Sequence, residues 1–354
     1  MASRIIARRL CAWGLTVVAL VSSSAPGALS DEEEAHLARI EEPDAVDEAI
    51  EKALAWLVTQ QDLTTGAFKG QLANTYTGLS CMALMAAGHF PERSDYGEHL
   101  RRGILFLVKQ AESNKGYLGK DGGRMYGHGI CTLALAEAYG MMATPEDNLI
   151  VRNALRSAIK VILDSQATSD NQHKGGWRYE PRPGDADLSV AAWQILALRA
   201  AQNCRLEVPE AQIKLATDYV RGTYVANQGF SYQRGGPTPA MRCAGVVCMK
   251  VLGADKTPED IEKIEKSAAI LDSVNLTGGS HYYYQCYYVA TAANMMGDEQ
   301  REKTLPKLES ALLKLQMPHG EFNKHSGHDG GVYATAFSVV CLAVRYQYLP
   351  IYQE

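Results

Sequence analysis

Six times along this chain a stretch with one apolar face ends at a glycine-aromatic turn and gives way to a stretch that is apolar nearly all round. The turns are Gly66-Ala-Phe68, Gly116-Tyr117, Gly176-Trp177, Gly229-Phe230, Gly279-Ser-His281 and Gly320-Glu-Phe322. Their glycines lie 50, 60, 53, 50 and 41 residues apart, the length that one helical hairpin with its loops needs.

The segments before the turns carry i, i+3, i+4, i+7 stripes. Val46, Ala49, Ile50, Ala53, Leu54 and Leu57 make the first, and Leu308, Ala311, Leu312 and Leu315 the last. Such spacing predicts helices with one buried and one wet face. Thr144-Pro-Glu-Asp147 and Thr257-Pro-Glu-Asp260 read as helix starts. In each, a hydroxyl cap precedes Pro at the first helical position, and carboxylates meet the positive helix end.

The segments after the turns, near 75–88, 126–139, 186–201, 239–252, 282–296 and 332–346, are built of Ala, Cys, Leu, Val, Met and aromatics. A helix apolar on all sides is buried on all sides. Six amphipathic helices alternating with six buried ones predict an all-α fold, an (α/α)6 toroid with an inner apolar ring inside an outer amphipathic one. An open superhelical solenoid is the structural rival. The polar loops that precede the inner helices should gather at one mouth of the ring.

The chain divides into three parts. Residues 1–30, with Arg4, Arg8 and Arg9 ahead of an apolar run and an Ala28-Leu-Ser30 site, read as a secretory signal. An uncleaved anchor is the rival, and it would be the only membrane contact. Residues 31–44 form an acidic lead, and 45–354 a single toroid. The expected location is therefore secreted or periplasmic. Loss of the three arginines takes the net charge from −5 to −8, which argues against a nucleic-acid partner. Seven cysteines remain, mostly in apolar runs and with no CxxC pair, and they read as buried small residues.

On these turns, on the glutamines ahead of them (Gln60 or Gln61, Gln110, Gln166, Gln316) and on two further stretches, the chain resembles the prenyltransferase and squalene-cyclase repeat superfamily of terpenoid-cyclase-like toroids. The first stretch, Asp185-Ala-Asp187-Leu-Ser-Val190, is similar to the Asp-x-Asp-Asp-Thr-Ala motif of class II terpene cyclases. The resemblance implies Asp187 as proton donor, supported by Asp185. Protonating an alkene requires a carboxylic acid kept neutral, yet both residues begin a helix, where free amides favour the charged form. An N-cap role and a ligand contact are the competing readings.

The second stretch, Tyr282-Tyr-Tyr-Gln-Cys-Tyr287, resembles the zinc-bearing stretch of protein prenyltransferase β subunits. Tyr284 stands at the family's zinc histidine, and of three zinc ligands Cys243 alone has a counterpart. One thiolate does not hold zinc. His325, His328 and Asp329 are the other weak metal candidates, and no cofactor is expected.

Arg124, Arg178, Arg182, Arg234 and Arg242, with Tyr126, His128, His281, Tyr284 and Tyr333, are the candidate ligand contacts at the mouth, suited to an anionic or sugar-like group. The incomplete motifs favour an exported module that binds an isoprenoid, sugar or protein ligand. A terpenoid cyclase or prenyltransferase-type enzyme using Asp187, and a carbohydrate-active enzyme, are the alternatives. A lone toroid leaves its mouth open unless a partner or dimer closes it.

Overall fold

The computed structural model describes residues 43–182, 184–233, 235–279, 281–323 and 331–353. The signal segment 1–30, nearly all of the acidic lead, Arg234, His325, His328 and Asp329 lie outside the described residues. Among the described residues there are twelve α-helices. The outer ones are α1 (Ala45–Val58), α3 (Gly97–Ser113), α5 (Pro145–Asp164), α7 (Glu210–Gly222), α9 (Pro258–Ala268) and α11 (Asp298–Leu313). The inner ones are α2 (Ala73–Ala86), α4 (Arg124–Ala138), α6 (Leu188–Asn203), α8 (Pro239–Val251), α10 (Tyr282–Met295) and α12 (Gly331–Ala343). Two-residue strands β1 (Tyr224–Val225) and β2 (Gly229–Phe230) pair at the fourth turn, a small addition to the all-α expectation.

The inner helices start within three residues of the expected positions, and nearly every residue in them is buried. The helix starts read from the sequence take the expected form. Thr144 Oγ1 accepts from Asp147 N at 3.0 Å and Thr257 Oγ1 from Asp260 N at 3.2 Å, each with Pro in the first turn. Asp44 and Asp47 form a reciprocal capping box on α1.

The ring is closed, so the solenoid rival is set aside. Inner helices pack in the order α2, α4, α6, α8, α10, α12 and back to α2. A repeated glutamine device ties three of the turns to the next outer helix. Gln61 Nε2 donates to Gly66 O and to His99 O, both at 2.9 Å. Gln166 Nε2 donates to Gly175 O and Gln212 O, both at 3.0 Å. Gln316 Nε2 donates to Gly320 O at 3.1 Å and, across the seam, to Ala49 O on α1 at 2.7 Å. At Gly66 (φ 86°) and Gly320 (φ 102°) only glycine fits: a Cβ there would stand 2.3 Å from Arg102 O and 2.1 Å from Lys52 O.

The far end of the ring is capped by the C-terminal segment. Tyr352 is buried there, its carbonyl accepting from Asn294 Nδ2 at 2.9 Å and its hydroxyl 3.1 Å from that of Tyr287. No helix among the described residues is long and apolar enough to cross a membrane.

Candidate functional site at the mouth of the ring

All six inner helices begin at the same end, so their first turns and the preceding loops surround one opening. Tyr126, Tyr284 and Tyr333 are each the third residue of their helices α4, α10 and α12. One turn deeper stand Trp193 on α6, Tyr287 and Tyr288 on α10, and Phe337 on α12. In a six-membered ring α4 faces α10 and α6 faces α12, so contacts between these pairs cross the axis. Tyr126 and Tyr284 have centroids 5.9 Å apart, and Trp193 and Phe337 6.2 Å. Trp193 stacks on Tyr287 at 4.9 Å and 16°, and Tyr288 meets both Tyr284 and Tyr287 edge-on at 4.9 Å.

The axis at this depth is therefore filled by aromatic rings, and the partly exposed Tyr126 and Tyr333 form the floor of a mouth above it. Trp193 Nε1 and the hydroxyls of Tyr284 and Tyr288 are buried beside one another and Tyr126 but make no hydrogen bond of good geometry. Burial holds the phenols of Tyr126, Tyr284 and Tyr288 well above the usual tyrosine range.

Beside this floor lies the acidic pair. Asp187 is the N-cap of α6 and fully buried. Its Oδ1 accepts from Val190 N at 3.0 Å and Ser189 Oγ at 2.5 Å, and its Oδ2 accepts from Arg178 Nη1 at 2.7 Å. Arg178 also reaches Asp185, Nε to Oδ2 at 3.2 Å, and its guanidinium lies 4.7 Å from the Tyr179 ring and 5.4 Å from the Tyr232 ring. Burial opposes the charge on Arg178, but the hydrogen bond and charge of Asp187 outweigh it and raise the guanidinium further above its usual range. Burial, then the Tyr179 hydroxyl at 2.8 Å and the Asp187 charge, push the Tyr232 phenol up. Three donors therefore converge on Asp187, and of these the Ser189 hydroxyl is also able to accept.

The other expected contacts separate. Arg124 reaches the mouth but pairs with Glu180 at 3.2 Å, both largely exposed. Arg182 is exposed on the same loop, and His281, also exposed, precedes α10 with φ 58°. Two expectations are corrected. His128 is buried in the wall: its Nδ1 accepts from Leu118 N at 3.2 Å, its Nε2 donates to Ala158 O at 3.1 Å, and burial lowers it to about 4. Arg242 closes the end of α9, donating to Ser267 O at 3.1 Å and Lys266 O at 2.6 Å, because unpaired helix carbonyls attract a cation. The tyrosine run also divides: Tyr284, Tyr287 and Tyr288 face the axis, while Tyr282 donates to Leu276 O at 3.1 Å away from it.

Cys243 is buried, and burial pushes its thiol up to about 12 despite the neighbouring Arg242. The seven cysteines of the described residues are all free thiols. Among the described residues no group of three metal-ligating side chains converges. Sequence reasoning missed Trp193 and Phe337, which meet only through ring closure. It also missed Asp121, whose Oδ2 caps α2 from the neighbouring loop, 2.8 Å from Asn74 N.

Closed, all-helical and double-layered, with aromatic and charged loops around one opening, the molecule is an α/α toroid. It belongs to the prenyltransferase alpha-alpha toroid domain family, whose model matches residues 34–203 and 271–351. The unmatched interval holds α7, the small strand pair, the Cys243 helix α8 and α9. No curated protein sequence matches the chain. Among solved structures it is similar to the type II terpene cyclase MstE from Scytonema. The apo form shows 15% identity, a TM-score of 0.53 and coverage of 86% of this chain and 99% of that one. A variant of the same cyclase in complex with geranylgeranyl dihydroxybenzoate shows 14% identity, a TM-score of 0.55 and coverage of 86% and 98%. An unsaturated glucuronyl hydrolase from Streptococcus agalactiae shows 12% identity, a TM-score of 0.59 and coverage of 87% and 94%. At these identities the likeness is one of fold.

Proposed function

We propose that this chain is a terpenoid-cyclase-type toroid whose mouth takes an isoprenoid-like apolar ligand against the aromatic floor. The observation that carries this reading is the meeting on the axis of Tyr126, Trp193, Tyr284, Tyr288 and Phe337 from opposite inner helices. Stacked π faces offer a polyene large apolar area, and they attract positive charge developing on it. The fold likeness to a cyclase that binds a geranylgeranyl compound supports this ligand class over a purely protein-binding module. The signal-like segment supports an extracytoplasmic setting, and the open mouth supports closure by a partner or second copy.

A second reading, cyclisation with Asp187 as acid, is favoured by the burial of that residue at the position matching the family's proton donor. It makes Asp187 the acid, with Arg178 and Ser189 as its immediate neighbours. The experiment is native mass spectrometry of the full chain with geranylgeraniol, a polyprenol and a uronic-acid oligosaccharide, followed by product analysis. Retention of the isoprenoids, lost in Tyr126→Ala and Tyr284→Ala, is expected. Retention of the oligosaccharide alone would overturn the ligand class. A cyclised product formed by the native chain and absent with Asp187→Asn would establish the second reading.

A further inference from the structure

At the side of the ring away from the mouth, a groove of about 590 Å³ lies between α5, α7 and the loop that leaves α6. Three of its lining residues are arginines without a counter-ion. Arg152 and Arg156 stand one turn apart on α5, and Arg205 comes from the facing loop; none makes an ion pair or side-chain hydrogen bond among the described residues. The next residue on the same face, Lys160, is paired to Asp164 at 2.7 Å. Glu207 also lines the groove, so basic groups outnumber acidic ones there, although the whole chain carries a net charge of −5.

Two features make this more than a solvated helix face. Like charges at i and i+4 repel on a helix surface, and here Arg205 adds a third positive group from across the groove. Arg205 takes the left-handed position that closes α6 (φ 56°), where Leu206 N donates to Ala201 O at 2.9 Å, and this helix end sets it at the groove. The floor between the arginines is apolar, made by Ile159, Leu163 and Leu206. Pro209 and Gln212, at the start of α7, complete the lining.

We infer that this groove is a binding site for a multivalent oxyanion of the phosphate or diphosphate class, held by Arg152, Arg156 and Arg205. Guanidinium groups match such anions through paired N–H donors, and the apolar floor accommodates a hydrocarbon portion attached to the anion. The site is independent of the aromatic mouth, since Arg205 follows the C-terminal end of an inner helix whose N-terminal end lines that mouth.

The test uses the full chain, its Arg152→Gln/Arg156→Gln/Arg205→Gln variant and an Arg93→Gln control. Titration calorimetry with inorganic pyrophosphate, at ionic strength matched with sodium chloride, should give saturable binding below 1 mM. The triple variant should weaken it at least tenfold and the control should leave it unchanged. Flotation with phosphatidic acid vesicles against phosphatidylcholine vesicles distinguishes the sources of the phosphate. Vesicle binding that is lost in the triple variant supports a lipid headgroup, and pyrophosphate binding alone supports a soluble anion. All three arginines are at least partly exposed, so the variant should melt like the native chain. Absence of binding in both arms, or binding that the triple substitution leaves intact, would overturn the site.

Discussion

Arg178 Nη1 lies 2.7 Å from Asp187 Oδ2, and through its Nε the same guanidinium reaches Asp185 at 3.2 Å, so one cation joins the two carboxylates of the cyclase-like motif. Asp187 is fully buried and also caps α6, whereas the Asp185 side chain is 44% exposed. Their losses should therefore differ. Asp187→Ala removes a cap and a charge-assisted bond together and should cost about 2–3 kcal/mol in urea unfolding. Asp187→Asn, which still caps, should cost less. Asp185→Ala should cost under about 1 kcal/mol, as exposed ion pairs do. Equal losses at the two positions would contradict the arrangement.

Closure of the ring depends on the seam between α11 and α1. Gln316 Nε2 makes two bonds there, and a Cβ on Gly320 would stand 2.1 Å from the Lys52 carbonyl oxygen. Gln316→Ala should destabilise by about 2 kcal/mol through two lost hydrogen bonds. Gly320→Ala should cost more, since it adds a steric clash to a positive φ. Hydrogen exchange should show both effects first in α1 and α11. Loss spread evenly over the ring would show that the seam is no weaker than the other joints.

The ring was legible because its signal is periodic: six turns, six stripes and six apolar runs repeat along the chain. The inner-helix boundaries could be read within three residues for the same reason. What escaped was whatever depends on which helices face each other. Trp193 looks like any core residue until α6 is seen opposite α12. Asp121 caps a helix that precedes it by almost fifty residues, and nothing in the local sequence marks that. As polar residues near the starts of inner helices, His128 and Arg242 look in the sequence like mouth residues. Helical geometry turns both away: His128 to the Ala158 carbonyl and Arg242 to the end of α9. Asp187 was legible as a cap from its position before an apolar run, but Arg178 as its partner was not.

Glu137 sets a pH dependence. It sits 5% exposed near the C-terminal end of α4, and burial raises its carboxyl to about 8 from an ordinary 4.5, against a lowering backbone bond from Ile351. Between these values the unfolded chain gives up the proton while the folded chain keeps it. Stability therefore falls as pH rises from about 4.5 to about 8 and levels off above. The fall should be on the order of 5 kcal/mol. Glu137→Gln, neutral throughout, should flatten it and make the variant relatively more stable at pH 8 than at pH 5. Urea midpoints at both pH values decide, and an unchanged slope in the variant would show that another group titrates.

Two tyrosines one residue apart on α10 offer a contrast within the aromatic core. The Tyr287 hydroxyl accepts from the Tyr352 hydroxyl at 3.1 Å and so helps seat the C-terminal segment under the ring. The Tyr288 hydroxyl is equally buried, and beside the Tyr284 hydroxyl it makes no hydrogen bond of good geometry. Removing a bonded hydroxyl strands its partner, while removing an unpaired one relieves a desolvation cost. Tyr287→Phe should thus destabilise by about 1 kcal/mol and loosen the C-terminal segment to proteolysis. Tyr288→Phe should leave the melting temperature unchanged or raise it. If Tyr288→Phe proves the more damaging of the two, its hydroxyl is engaged in solution by water or ligand, and the floor of the mouth is wetter than its packing implies.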